Sequence, residues 1–555
     1  MASSPVEHGH DAMYNFIYTL LFYVLFSNSL TSASSCSKFP VIDFGYAQHA
    51  PTSVNQTILH NISYATYANI RFAQPSVGEL RFRAPKLPPP KSTTIQNGSY
   101  PRNFTDCLIS IPPDIPIAPG VNGTSWGSED CLFLTVKVPE GLTGKRVPVL
   151  HWLYGGGYIF GGSNDWAGNP AGLFQEMDPN EKFITVSSNY RLGSLGWMSS
   201  KGVDMTPNVG LWDALIGLEW IKEYISYFGG DPDRITAIGE SAGGGIIQHL
   251  LTLRGGNGTV PFNQAIITSP GYRPHVNRSA AMSEIYNGFL DAANCSDIKC
   301  LRSLPSSAIA KANEQLIFDI PNRQGFIGPS IGFGPIIDGD LVTALPEQLL
   351  EKGKYHRSVQ KVLTANMVAD GLGATSSNAT TWVDFLPIWM SNPTARTIEI
   401  ANATWPNTTG LALQTFAQDA IYACHAWRTA KVWGSNAYRY SMSIPPATHG
   451  QDQFYYLYVN GTYEQTSVEY PKVARQLQAY FRRFILQGYA GGGEESCGDN
   501  EKIMTATPQH WPAYGNMQRW VNITNDTFIL TYGEEDQAKR CEVLLDLIND
   551  PRNGF

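Results

Sequence analysis

Short apolar runs alternate along this chain with longer stretches in which apolar residues return every three or four positions. Val147–Tyr154 and Phe183–Tyr190 are apolar and partly β-branched, which predicts two strands, the first running into glycines. Ile235–Ile238 predicts a third, and Gln264–Thr268, Val359–Thr364 and Ala437–Met442 predict three more. Leu211, Leu215, Leu218, Ile221 and Ile225 share one face of a helix predicted over Leu211–Tyr227. Alternation of this kind predicts an α/β fold, a mostly parallel sheet with helices on both faces. No stretch reads as a linker between independent domains, so residues 36–555 are expected to form a single domain. The insertion between Pro270 and Val359 reads as partly helical and is expected to roof the sheet edge.

Composition narrows the class. Hydrophobic residues make up 43% of 555 and aromatic ones 12%, as in a well-packed globular protein. The net charge is -8 and no basic run occurs, which argues against a nucleic-acid partner. Phe16–Phe26 has the length and apolarity of a secretory h-region and is followed by small residues. Residues 1–35 therefore read as a signal peptide with cleavage near 33–35. The run is too short to span a bilayer comfortably, so no stable membrane span is expected after cleavage, and a secreted location follows. Sequons agree with export. They begin at Asn55, Asn61, Asn97, Asn103, Asn122, Asn257, Asn277, Asn294, Asn378, Asn402, Asn407, Asn460, Asn522 and Asn525. The eight cysteines form an even set, as an oxidising compartment favours. No C-x-x-C, H-E-x-x-H or Cys/His cluster is present, so neither a metal nor a cofactor is expected.

Candidate chemistry centres on Gly239-Glu240-Ser241-Ala242-Gly243, a G-x-S-x-G sequence between a predicted strand and a segment able to enter a helix. A sharp strand-to-helix turn presents its serine hydroxyl at the sheet edge, and flanking glycines relieve the crowding. Tyr154-Gly155-Gly156-Gly157-Tyr158 follows a strand directly, and consecutive glycines expose main-chain amides that can bind an oxyanion. Gly156, Gly157 and Ala242 are the three natural donors. His449, in a loop after a late strand, suits a base arriving from a distant segment. An acid is expected on a loop between serine and histidine; Asp370 follows a strand end, and Asp338 and Asp340 are its rivals.

Several motifs in order resemble the type-B carboxylesterase/cholinesterase/lipase family of the α/β-hydrolase fold. They are Gly78–Pro85, Glu129–Leu134, Asn189–Gly193, Asn208–Asp213, Phe228–Gly244 and Pro335–Gly339. The resemblance implies an α/β-hydrolase fold with a helical insertion over the active site. It implies Ser241 as nucleophile, His449 as general base and Gly156, Gly157 and Ala242 as oxyanion hole. The family's acid lies in an N-x-x-E/D-G stretch; here Asn366–Gly371 is one residue longer and carries Asp370 where Glu is usual. Family pairing implies Cys107–Cys131, Cys295–Cys300 and Cys424–Cys541, leaving Cys36 with Cys497. The implied substrate is a small-molecule ester, cleaved by a serine carboxylesterase. Lipases of the family can carry a lid in the loop after the first of these cysteines. Here the prolines of Leu108–Gly120 oppose a helical lid, and Trp126 does not match the family's choline-binding tryptophan.

Overall fold

Strands without a polar face must lie between two layers, and the strands of the middle of this sheet are buried almost end to end. The computed structural model describes residues 38–113, 123–142, 144–164, 171–319, 332–372, 379–407, 411–459, 468–490, 503–504 and 511–555. Phe39–Phe555 cluster as one compact unit.

Twelve strands make the main sheet. In chain order they are β1 (Ser53–Gln56), β2 (Ser63–Arg71), β3 (Phe133–Pro139), β4 (Val147–Leu153), β5 (Ile184–Ser188) and β6 (Gly230–Glu240). There follow β7 (Gln264–Thr268), β8 (Lys361–Met367), β9 (Ala437–Met442), β10 (Ile503–Met504), β11 (Arg519–Ile523) and β12 (Phe528–Tyr532). Their spatial order is β10-β12-β11-β9-β8-β7-β6-β4-β5-β3-β2-β1. From β11 through β5 every pairing is parallel, and the flanking pairs on both sides are antiparallel. The parallel order demands crossovers, which the helices supply. Among them are α1 (Val209–Tyr224), α2 (Ala242–Leu251), α3 (Ser279–Ala292), α4 (Cys424–Trp433), α5 (Pro471–Gln487) and α6 (Glu535–Asn549). All five apolar positions that predicted the helix at 211–227 are buried. The α-helix itself ends at Tyr224 and tightens into a 3₁₀ turn over Ile225–Phe228, closed by Gly229 at φ 85°.

Two strands extend beyond their expected bounds for physical reasons. β6 begins at Gly230, because that residue pairs with Val147 across a bulge that breaks the pattern before Ile235. β8 continues to Met367 because the polar Asn366 is satisfied: its Oδ1 accepts from Arg439 Nη2 at 2.8 Å. The insertion after Pro270 is helical over α3, Ile298–Ser303 and Ser306–Asp319.

Three disulfides join Cys107 to Cys131, Cys295 to Cys300 and Cys424 to Cys541. Cys36, Cys497, the segment 1–35 and the sequons at Asn122, Asn378 and Asn460 lie outside the described residues. Of the other sequon asparagines, Asn522 alone is not exposed; it sits inside β11 and its Oδ1 accepts from Ser443 Oγ at 2.6 Å. Among the described residues no helix is long and apolar enough to cross a membrane.

The Cys424–Cys541 bridge closes a sequence separation of 117 and Cys295–Cys300 one of only 5. In the chain-entropy model the first stabilises by about 5 kcal/mol and the second by roughly 2. Replacing both cysteines of a pair by alanine should therefore lower Tm by about 4 °C or more for the long loop and about half that for the short one, measured by scanning calorimetry.

Candidate active site

β6 delivers its chain into α2 through one residue, and that residue is Ser241, with φ 55° and ψ −125°. A non-glycine residue there costs of order 1–3 kcal/mol and persists only if its surroundings dictate it. The dictating contacts are on the backbone. Ser241 N donates to Thr268 O at 3.1 Å, and Ser241 O accepts from Gly245 N at 2.9 Å and Gly271 N at 2.7 Å. The motif glycines admit the turn because neither has space for a side chain. A Cβ on Gly239 would stand 2.5 Å from Gly243 C, and one on Gly243 would stand 2.0 Å from Leu153 O.

The structure brings Ser241, His449 and Asp370 together from three segments. Ser241 Oγ lies 2.8 Å from His449 Nε2, and His449 Nδ1 lies 2.9 Å from Asp370 Oδ1. Asp370 is 1% exposed and held from two sides: Met367 N donates to Oδ2 at 2.7 Å, and Ser269 Oγ donates to both carboxylate oxygens at 3.0 and 3.1 Å. The extra residue in its loop is absorbed by pairing that continues past the end of β8. Val368 N donates to Met442 O at 3.1 Å and Ala369 N to Ala447 O at 2.9 Å, so the acid loop and the histidine loop are stitched together. The rivals are engaged elsewhere. Asp338 accepts from Asn208 Nδ2 at 2.6 Å and from two backbone amides, and Asp340 pairs with Arg254 at the surface.

Gly156 and Gly157 turn at φ 104° and 58° immediately after β4. Their loop lies against the serine: a Cβ on Gly155 would be 3.0 Å from Ser241 Cβ and 2.8 Å from Glu240 O. Tyr154 and Tyr190 clasp its root. Their rings stack at 4.3 Å, each hydroxyl donates to the other's carbonyl at 2.8–2.9 Å, and Tyr190 N donates to Tyr154 Oη. Among the described residues the amides of Gly156, Gly157 and Ala242 make no hydrogen bond, so three donors remain for an incoming oxygen.

Sequence reasoning missed four neighbours. Glu240, the variable residue of the motif, is buried with Oε1 3.3 Å from His449 Nε2 and Oε2 accepting from Gln453 Nε2 at 2.6 Å. Tyr422 stacks on His449 at 4.2 Å. Asp452 is buried, accepts from Tyr440 Oη at 2.6 Å, and burial pushes its carboxyl up to about 7. Ser269 braces the acid. Only Glu240 had a signal, its place beside the serine. Burial raises the Glu240 carboxyl, reinforced by Asp452 and Asp370 and opposed by His449. Burial alone would push His449 down, but the charges of Glu240 and Asp370 outweigh it and hold the imidazole above its ordinary range.

Such a set can pass a hydroxyl proton to imidazole, stabilise the resulting imidazolium and cradle an oxyanion. Comparisons with known proteins point the same way. The sequence profile of the carboxylesterase family matches residues 53–384. Carboxylesterase patB of Aspergillus clavatus is 30% identical over 517 residues, 83% of this chain and 90% of its own length. Lipase 1 of Geotrichum candidum is 30% identical over 355 residues, 57% of this chain and 61% of its own. The crystal structure of Aspergillus niger EstA matches in fold with a TM-score of 0.72 at 23% identity, over 92% of this chain and 98% of that one.

The carboxylates around His449 have a measurable consequence. Its imidazole should titrate above the ordinary histidine value of about 6.5, and Glu240→Gln should lower that midpoint by about one unit. Histidine NMR titration, with the resonance assigned by its loss in His449→Asn, checks this; an unmoved midpoint would contradict it.

Proposed function

As the chain belongs to the carboxylesterase family of the α/β-hydrolase fold, we propose that it is a secreted serine hydrolase, cleaving the carboxylic ester of a small or medium organic molecule. One observation carries the reading: a hydroxyl, an imidazole and a carboxylate in hydrogen-bonded series at 2.8 and 2.9 Å, beside three main-chain amides that make no hydrogen bond among the described residues. His449 Nε2 takes the proton as Ser241 Oγ attacks the ester carbonyl carbon. The carbonyl oxygen becomes an oxyanion held by the amides of Gly156, Gly157 and Ala242. Asp370 keeps the proton on Nδ1 and stabilises the imidazolium. The imidazolium then protonates the departing alcohol, leaving an acyl-serine. A water deprotonated by the same imidazole attacks the acyl carbon, releases the acid and returns the proton to Ser241.

Three features of the chain support export. The apolar run and small residues before Cys36 have the form of a secretory signal, three disulfides suit an oxidising compartment, and ten sequon asparagines are exposed among the described residues. A soluble ester is favoured over a lipid interface by the loop between Cys107 and Cys131. Its prolines oppose an amphipathic helical lid, and its described part pairs Ile109–Ile111 antiparallel with Thr124–Trp126.

Ser241→Ala should lower kcat for a short p-nitrophenyl ester by at least about 10⁴-fold with Tm nearly unchanged, and should abolish labelling by a fluorophosphonate probe. Retained turnover in a pure preparation would overturn the reading. Secreted protein should carry glycans at exposed sequons and none at Asn522, read by mass spectrometry of the tryptic glycopeptides; an occupied Asn522 would contradict the strand placement.

A further inference from the structure

The helix Ala412–Gln418 does not run straight into α4. Between them Asp419–Ala423 forms a single π-helical turn, in which Cys424 N donates to Asp419 O five residues back. Such turns are rare. The extra residue rotates the side chains beyond the turn by about 100° relative to those before it. Tyr422 lies in this turn and is buried, with its ring stacked on the His449 imidazole at 4.2 Å and 28° between the planes. Among the described residues the Tyr422 hydroxyl makes no hydrogen bond, so what the residue offers the site is the face of its ring.

This one segment touches the loops of all three triad residues. At the histidine the contact is the stacked ring. On the serine side, a Cβ on Gly271 would stand 2.9 Å from the Tyr422 ring and 3.2 Å from Ser241 C. Gly271 N also donates to Ser241 O at 2.7 Å, and Tyr272 N donates to Ile421 O at 3.4 Å. On the acid side, a Cβ on Gly371, next to Asp370, would run into Gln414 O and stand 3.0 Å from Gln418 Cβ. The π-helical turn is in turn held by two adjacent residues of α6. Asp419, fully buried, accepts from Arg540 Nε at 2.6 Å and from Trp405 Nε1 at 2.8 Å, and Cys424 is bridged to Cys541.

His449 must keep Nδ1 on Asp370 and Nε2 on Ser241 at the same time. Those two hydrogen bonds fix the edge of the imidazole, and packing against its face resists tilting out of their plane. We propose that Tyr422 is a positioning residue for the His449 imidazole, aimed by a π-helical turn that Asp419–Arg540 and Cys424–Cys541 pin to α6. This rests on the reading of Ser241 as the ester-cleaving nucleophile. The competing account is that Tyr422 touches the substrate. A substrate contact acts on esters according to their shape, whereas a residue that places the base acts on every ester alike.

The test uses the full mature protein with p-nitrophenyl acetate, butyrate and octanoate. Tyr422→Leu should lower kcat by about tenfold or more, and by the same factor for all three esters, because a slightly misplaced base costs that much. One imidazole serves both acylation and deacylation, so the two steps should slow together and KM should stay within about twofold. Tyr422→Phe, which keeps the ring face, should retain most of the activity. Loss of the shielding ring should also move the His449 imidazole proton resonances downfield in Tyr422→Leu and leave them in place in Tyr422→Phe. Tyr422→Met, unbranched and without a ring, has the same expected outcome and serves as the second variant if Tyr422→Leu does not fold. Unaltered kcat with unmoved resonances would overturn the proposal while leaving the esterase reading intact. A loss that varies with acyl length or falls on KM would overturn it in favour of a substrate contact, and Tyr422→Phe as impaired as Tyr422→Leu would overturn it in favour of the hydroxyl. Inertness of the unaltered protein toward all three esters, with no fluorophosphonate labelling of Ser241, would overturn both.

Discussion

The left-handed backbone of Ser241 is the constraint from which the site is built. A serine at φ 55° is held there by three backbone hydrogen bonds, to Thr268, Gly245 and Gly271. Each fixes a different neighbour. The bond to Thr268 sets the turn against the end of β7, the bond to Gly245 starts α2, and the bond to Gly271 draws the downstream loop beneath the serine. The same turn leaves Ala242 N pointing out of the helix without an intrahelical acceptor, which is why nucleophile and oxyanion donor can belong to adjacent residues. Close packing then transmits the constraint outward. Gly155, Gly239 and Gly243 each lie so near backbone or Ser241 that a methyl group would displace the turn.

Carboxyl groups dominate the charge around the imidazole. Glu240, Asp370 and Asp452 all act on His449 and raise its affinity for a proton, against the effect of burial. An imidazolium formed during proton transfer would thus be stabilised before any solvent reorganises. The cost is that the same carboxylates disfavour an anion nearby. The main-chain amides of Gly156, Gly157 and Ala242 meet that cost for the transient oxyanion.

The motif around Ser241, the triple glycine and the strand ends at Asp370 and His449 were legible because each leaves a local mark: a glycine spacing, or a loop directly after an apolar run. The chain order and strand–helix alternation likewise prefigured the parallel sheet. What escaped were contacts made only by tertiary approach. Tyr422 meets His449 across 27 residues, and Ser269 meets Asp370 across 101. Asn366 looked like a strand end because nothing local reveals that Arg439, on the neighbouring strand, would satisfy its amide oxygen. Asn522 looked like any other sequon because pairing with two strands is invisible in a three-residue pattern.

The family motifs that touch no reacting atom find their reason in the same terms, because they bind one another. Arg81 and Glu129, nearly inaccessible, form two hydrogen bonds at 2.5 and 2.7 Å, and Arg191 meets Asp213 through its Nε and Nη2, both at 2.7 Å. Asn189 donates to Thr105 O and Cys131 O while accepting from Ser163 N, tying the first disulfide loop to the end of the glycine loop. A buried ion pair adds little net stability, yet losing one partner costs about 3–5 kcal/mol because the other charge is stranded. Such pairs therefore penalise every misplacement of the segments they join. Tyr190, between Asn189 and Arg191, clasps Tyr154 at the root of the glycine loop, so the penalty falls on any displacement of the amides of Gly156 and Gly157. Placement of those amides to within a few tenths of an ångström is what an oxyanion site needs, and fixed main-chain donors lose no entropy when charge develops.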